Sequence, residues 1–260
     1  QLKFYGNEVH HTARRGASKQ YHAVYFTTDS NQVEAAWNFI HDNNSCRAMQ
    51  FHSSPLEGNT GLNQYDLSVH DNLIRGDVCD GINFATVDPS RGKVEAYNNV
   101  IIRAGAGPHP EDDSANYSCV YVAGSTNQGP DGSGTVEIYN NTCYDFGGVD
   151  PGGSDSGAFV RGPGSPRLFM NLRNNIAYAL RGQQYVNGAL GLIRGSNNLW
   201  FGAGSGPAAT QGNVNADPRF VSLANFDFRL SAGSPAIDAG LALNLVSDFD
   251  GVPRPQGRAL

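Results

Sequence analysis

A nine-residue sequence motif recurs along the chain and restricts the folds that the chain can adopt. It reads VEAYNNVII at residues 94–102 and returns as VEIYNNTCY at residues 136–144. Weaker copies lie at residues 2–9, 33–40, 67–74 and 168–176. In each copy apolar and polar residues alternate, an asparagine follows, and a second short apolar run comes next. Alternation with period two indicates a β-strand, and six copies of one unit indicate a repeat architecture.

An asparagine marks the bend in every copy, and a third apolar run follows each bend. The bend residues are Asn7, Asn38, Asn72, Asn99, Asn141 and Asn175. The third runs lie at residues 23–27, 48–52, 81–85, 119–123, 157–161 and 189–193. Three short strands per repeat describe a coil, and stacked coils bury one continuous apolar column. Because asparagine tolerates the left-handed backbone region, we expect the bend residues to stack as a ladder.

These repeats resemble the right-handed parallel β-helix of the pectate-lyase-like superfamily over roughly residues 2–200. We therefore predict an all-β fold, a right-handed parallel β-helix (a solenoid) of about six to seven three-strand coils spanning residues 1–200. A β-sandwich with asparagine-rich turns is the alternative, but it would not keep three strands in the same order through six repeats.

The last part of the chain has a different composition. It contains DPRF at residues 217–220, GSPAIDAG at 233–240 and DFDGVPRP at 248–255. These motifs resemble the C-terminal segment of many secreted bacterial β-helix proteins. The resemblance implies that residues 201–260 wrap the last coil as a capping segment of the same domain, and that the protein is secreted, extracellular or periplasmic.

Composition excludes several classes of protein. The net charge is −6, which argues against a nucleic-acid partner, and no apolar run is long enough for membrane insertion. The four cysteines include no CxxC pair, so a structural zinc site is not expected. They are either small buried hydrophobic residues or paired. Since Cys46 and Cys79 fall at matching places in successive repeats, a disulfide between neighbouring coils is possible.

Candidate site residues lie on the third strands, since sugar chains bind along that sheet in the resembled fold. The alternation predicts an outward row whose substrate-binding members are Gln50, Asn83, Tyr121 and Arg161, with Phe159 beside Arg161. Aromatic faces stack on sugar rings, and polar groups hydrogen-bond hydroxyls. An ordinary solvated sheet face is the alternative. Six of the seven histidines fall in the first 70 residues, which favours the first three coils as the site.

A polysaccharide lyase acting on uronic acids needs a group that neutralises the carboxylate, a base and an acid. Neighbouring coils supply these types: Lys19, His22, Tyr25 and His52 as candidate catalytic residues, with Tyr25 as the acid, and Arg47 and Arg75 for the carboxylate. Asp77 and Asp80 could hold Ca²⁺ with oxygen-only ligands, although their position favours turn capping before the strand. We therefore predict β-elimination on an anionic polysaccharide.

Two other functions stay open. A β-helix hydrolase would need two carboxylates across the cleft, and the adjacent pair Asp112 and Asp113 is not followed by the Gly-His-Gly of β-helix polygalacturonases. A non-catalytic glycan-binding, adhesive or self-assembling module is the other alternative. Residue 2 already lies in a repeat strand, so we expect upstream coils or self-association at the amino-terminal edge.

Overall fold

The structure, a computed structural model, is built from three parallel β-sheets. It describes residues 1–27, 30–53, 63–77, 79–105, 107, 117–124, 131–147, 157–181 and 183–254. Every repeat contributes one strand to each of the first two sheets, and strands of successive repeats are neighbours in the sheet. No α-helix occurs among these residues; the helical segments are two 3-10 turns, Leu190–Leu192 and Leu223–Asn225. Together with stacked asparagines, this arrangement is consistent with a parallel β-helix.

The first sheet contains the strand that precedes each bend, and the second sheet contains the strand that follows it. The seven strands of the first sheet are Leu2–Tyr5 (β1), Val33–Ala36 (β4), Leu67–His70 (β7), Val94–Tyr97 (β10), Gly134–Tyr139 (β13), Leu168–Arg173 (β16) and Ile193–Ser196 (β19). The seven strands of the second are Glu8–His10 (β2), Phe39–His41 (β5), Leu73–Arg75 (β8), Val100–Ile102 (β11), Thr142–Tyr144 (β14), Ile176–Tyr178 (β17) and Leu199–Phe201 (β20).

The third sheet has six strands and carries the candidate site. They are His22–Phe26 (β3), Arg47–Phe51 (β6), Ile82–Phe84 (β9), Ser118–Val122 (β12), Ala158–Arg161 (β15) and Gln184–Asn187 (β18). The sequence-based prediction of the last one is wrong. Residues 189–193 do not form a third strand, because Leu190–Leu192 is a 3-10 turn and Ile193 already pairs with Met170 in the first sheet.

Asparagine side chains stack along the corner between the first and second sheets. The Asn72 Nδ2 donates to Asn99 Oδ1 at 2.9 Å and to the Ala35 carbonyl, also at 2.9 Å. The Asn99 Nδ2 repeats this pattern with Asn141 and with Val69. The ladder predicted from the bends is thus confirmed. It extends one coil further than the sequence indicated, since Asn175 donates to Asn198 at 2.9 Å.

The interior between the sheets is a single apolar column. Phenylalanine rings of the third sheet stack through it, with centroids 4.7 Å apart for Phe26 and Phe51 and 5.3 Å apart for Phe51 and Phe84. Met49, Ile82 and other inward residues of the same strands are fully buried. Each coil therefore depends on its neighbours for burial, as expected of a stacked repeat.

Both pairs of cysteines are disulfide-bonded, so none of the four is free. The predicted bond between Cys46 and Cys79 links neighbouring coils. A second, unpredicted bond joins Cys119 of β12 to Cys143 of β14 through the core. Reading these cysteines as simple buried hydrophobic residues is therefore wrong. Disulfides are typical of proteins that fold in oxidising compartments.

The chain after β20 adds to the last coil and then runs back over the molecule. Val214 forms a β-bridge with Leu199 at the end of the second sheet. An antiparallel hairpin follows, made of Phe220–Ser222 (β21) and Asp227–Leu230 (β22). Phe228 packs on Tyr144, and the segment therefore covers the outer face of the second sheet as well as the edge of the last coil.

Candidate functional site

One row of polar and aromatic residues crosses the outer face of the third sheet. The strand register aligns Tyr25, Gln50, Asn83, Tyr121, Arg161 and Asn187 from the first coil to the sixth. Because hydrogen-bonded strands lie about 4.8 Å apart, the row is roughly 24 Å long. Five of these positions follow from the alternation in the sequence. Asn187 was missed because the last third strand was placed too late.

A tyrosine and two histidines meet at the first two coils of this row. The Tyr25 hydroxyl lies 2.8 Å from His52 Nδ1, and Tyr25 is 37% exposed. The His22 ring packs against Tyr25 with centroids 5.0 Å apart. Burial, with help from Arg47 and His52, lowers the pKa of His22 to about 3. His22 is therefore neutral at ordinary pH and a weak base, whereas the Tyr25–His52 pair has the geometry of a proton-transfer couple.

A buried polar network lies beside this pair. Arg47 Nη1 donates to the Lys19 carbonyl at 3.0 Å, and Arg47 Nε is 3.4 Å from Asp80 Oδ2. The other Asp80 oxygen accepts the Ser118 hydroxyl at 2.7 Å, while Asn83 donates to Oδ2 at 2.8 Å. The network thus links three neighbouring strands and fixes Arg47 and Asn83 in place. Ser118, which sequence reasoning did not select, completes it.

Several buried polar atoms along the row have no hydrogen-bond partner in the described part of the chain. They are His22 Nδ1, Gln50 Oε1, Asn83 Oδ1 and Arg161 Nη1. Gln50 is only 7% exposed and Asn83 only 1%. An unpaired buried polar group costs about 1–3 kcal/mol, so native proteins seldom keep several together without a purpose. A ligand with hydroxyl donors and an acidic group would satisfy these atoms.

Not every candidate residue lies on this face. Arg75 belongs to β8 of the second sheet, where its Nη2 is 3.3 Å from Asp42 Oδ2 and its guanidinium faces the Phe39 and Phe226 rings. Phe159, expected to point outward beside Arg161, is fully buried and packs edge-on against Trp200. That expectation is wrong because the start of β15 turns its side chain into the core.

The two aspartates considered for calcium are both completely buried. Asp80 is already shared by Arg47, Asn83 and Ser118, and a cation as close as Arg47 disfavours a metal ion there. Asp77 has no hydrogen-bond partner at either oxygen among described groups. Within the described residues, no three histidine, cysteine or acidic side chains form a metal-binding group. Calcium takes six to eight oxygen ligands, so these two aspartates would need further oxygen ligands to hold it.

The proposed hydrolase pair cannot be placed, because Asp112 and Asp113 lie outside the described residues.

No known protein-family model matches the chain, and no curated protein is significantly similar to it in sequence. None of the described residues form a helix of the length and apolarity that a membrane span requires. The function must therefore be argued from the site itself.

Proposed function

We propose that the protein binds an anionic polysaccharide along the third sheet and cleaves it by β-elimination at the first two coils. The observation that carries this proposal is the row of unpaired buried polar atoms that leads away from the Tyr25–His52 pair. Gln50 and Asn83 would accept hydrogen bonds from sugar hydroxyls, and Arg161 would bind a carboxylate. Tyr121, half exposed in the same row, would contact a sugar ring.

The pair can perform both proton transfers of an elimination. When His52 Nδ1–H donates a hydrogen bond to the Tyr25 oxygen, His52 Nε2 has a lone pair and can take the proton next to the substrate carboxylate. The Tyr25 hydroxyl protonates the leaving oxygen as its bond to carbon breaks and the double bond forms. The imidazolium then returns a proton from Nδ1 to the tyrosinate, which restores Tyr25 and neutral His52. Arg47, whose charge acts on His22, and Lys19, whose carbonyl accepts from Arg47, are the candidates for stabilising the carboxylate during this step.

The same proposal includes the handedness of the coils, the superfamily and secretion of the protein. A right-handed solenoid of the pectate-lyase-like superfamily, with its C-terminal segment in the same domain, would place the third sheet where such folds bind sugars. Secretion would agree with the two disulfides, which form in oxidising compartments. The two proton transfers do not involve calcium. A requirement for Ca²⁺ is tested by running the assay below with added Ca²⁺ and with chelator.

The test is incubation with a panel of uronic-acid polysaccharides while following the ultraviolet absorbance of unsaturated chain ends. We expect absorbance to rise with at least one of them. Tyr25→Phe and His52→Ala should each lower the rate about 10²- to 10⁴-fold, the usual contribution of a positioned acid or base. His10→Ala is the matched control, because His10 is exposed on β2 of the second sheet and should leave the rate unchanged.

A non-catalytic glycan-binding module is the second candidate, and one observation favours it. Arg47 is held by Asp80 and the Lys19 carbonyl, and Arg75 lies on another sheet, so neither arginine is poised beside the Tyr25–His52 pair. Under this alternative, calorimetry would show binding of an anionic oligosaccharide without turnover, and the His52 variant would bind equally well. Absence of both binding and turnover with every anionic glycan would overturn both functions.

A further inference from the structure

The residue before each ladder asparagine occupies a special position at the corner between the first two sheets. In the last four coils this residue is also asparagine: Asn98, Asn140, Asn174 and Asn197, here called the outer asparagines. All four have a left-handed backbone, with φ between 52° and 57°. In the first three coils the same position holds Gly6, Trp37 and Asp71, with φ of 63°, 55° and 53°. The backbone is therefore the same in all seven coils, and only the side chain differs.

Three of the four outer asparagines hydrogen-bond the C-terminal segment, residues 236–254, here called the strap. The fourth, Asn140, accepts instead from Asn174 Nδ2 at 3.2 Å. Asn197 Nδ2 donates to the Ala239 carbonyl at 3.0 Å. The Asn174 amide is bidentate: it donates to the Leu241 carbonyl and accepts the Leu241 N–H, both at 2.8 Å. Further along, Asn98 Nδ2 donates to the Ser247 carbonyl at 3.2 Å. The strap thus runs back from the last coil to the fourth across this row.

Left-handed geometry alone does not explain the choice of asparagine. Glycine and tryptophan serve at the same backbone position in the first two coils, and aspartate serves in the third, where the Asp71 charge acts on Arg254 of the strap. Within the described residues, Gly6, Trp37 and Asp71 make no hydrogen bond to the strap, and Trp37 is 55% exposed. At three of the four asparagine positions the side-chain amide donates to a strap carbonyl, and at Asn174 it also accepts a backbone N–H.

Phe249 of the strap packs on the apolar cluster around Tyr144, but several other apolar side chains of the strap are exposed. Ile237 is 46% exposed, Leu241 45% and Val246 83%. A cavity of about 360 Å³ remains between the strap and the coils, lined by Ile176, Leu199 and Leu243 among others. A segment with few apolar contacts and backbone hydrogen bonds near solvent opens at a lower free energy than a packed core.

We propose that the outer asparagines form a docking surface for a peptide backbone, and that the strap is its occupant in this chain. The surface binds backbone carbonyl and N–H groups, so most strap side chains can be substituted without loss of these hydrogen bonds. The strap lifts and returns as a unit while the coils, which are held by the inner ladder, stay folded. This inference is independent of the proposed activity.

Hydrogen exchange of the full chain tests the inference. Asn174→Gly and Asn197→Gly remove the docking amides without backbone strain, since glycine already occupies this position at residue 6. We expect the Leu241 amide to exchange roughly tenfold faster in Asn174→Gly, the effect of losing one to two hydrogen bonds. The amides of Asn175 and Ile176, in the adjoining ladder and strand, should keep their protection.

Two further variants separate docking from a general loss of structure. Asn174→Asp keeps the acceptor for the Leu241 N–H but loses the donor, so exchange should rise less than in Asn174→Gly. Trp37→Gly changes the same backbone position in a coil outside the strap and should leave strap exchange unaltered. Unchanged strap exchange in the double Asn174→Gly, Asn197→Gly variant would overturn the inference. So would equal loss of protection at Asn175 and Ile176, because the outer asparagines would then support the coil itself.

Discussion

Asp77 and Asp80 show how two identical residues, close in sequence and both fully buried, can have opposite effects on stability. Burial raises the pKa of Asp80, but pairing with Arg47 and hydrogen bonds from Ser118 and Asn83 counteract this effect. Asp77 has no such partners, and burial raises its pKa well above the usual range; a poorly aligned contact with the Asn43 amide offsets only part of this. Sequence alone could select both residues but not distinguish them, because their difference depends on side chains from other coils.

Asp77→Asn should therefore stabilise the protein at neutral pH, by about 1–3 kcal/mol, because a buried neutral amide is less costly than a carboxyl group that ionises in the unfolded chain. In the unfolded chain Asp77 ionises near its ordinary pKa of 3.8, whereas the folded chain holds the proton to higher pH. Stability is thus fully present below that pH and declines as the pH rises towards the folded pKa. The gain from Asp77→Asn should grow with pH above about 4, measured by urea denaturation at several pH values.

Asp80→Asn is the matched control for that experiment. It removes the carboxylate opposite the buried Arg47 guanidinium and should destabilise the fold, since breaking one side of a buried ion pair typically costs 3–5 kcal/mol. If both variants were equally destabilising, the difference inferred between the two sites would be wrong.

At the scale of the element, the inner asparagine ladder is the feature that sequence reasoning predicted best. The bend asparagine, the alternation before it and the apolar run after it are local signals, so six repeats could be aligned without a structure. The third strand of the sixth repeat was misplaced because the apolar residues 189–193 resemble it more than Gln184–Asn187 does. A short apolar run does not by itself distinguish a strand from a turn.

Asn99→Ala should test how much the ladder contributes. Asn99 accepts the backbone N–H of Asn72 at 3.1 Å and the Asn72 amide at 2.9 Å, and it donates to the Val69 carbonyl at 2.9 Å. Losing these bonds leaves several buried groups unpaired, so we expect a loss of about 3–5 kcal/mol in the free energy of unfolding. Asn225→Ala, on the exposed 3-10 turn, should change it by less than about 0.5 kcal/mol. Similar small losses in both variants would contradict a structural role for the ladder.

At the scale of the whole molecule, the sequence indicated an architecture but not the path of its last 60 residues or the side chains that meet at the site. The return of the C-terminal segment over the second sheet depends on contacts such as Phe228 with Tyr144, which are distant in sequence and follow no repeat. The repeat register places the segments of Arg47 and Asp80 side by side, but it does not decide that they pair or which polar atoms are left unpaired.

The two disulfides act on the molecule as a whole, because each links different coils or sheets of one cooperative column. They close loops with sequence separations of 33 and 24 residues. In the chain-entropy model, loops of this size contribute about 3–4 kcal/mol each by restricting the unfolded chain. We expect the double variant Cys46→Ala, Cys79→Ala to lower the free energy of unfolding by about 2–4 kcal/mol, measured by guanidinium denaturation. Adding reductant should lower the midpoint of the wild type but leave a variant lacking all four cysteines unaffected. A wild-type midpoint that stays constant while thiol titration shows complete reduction would exclude a stabilising role for both bonds.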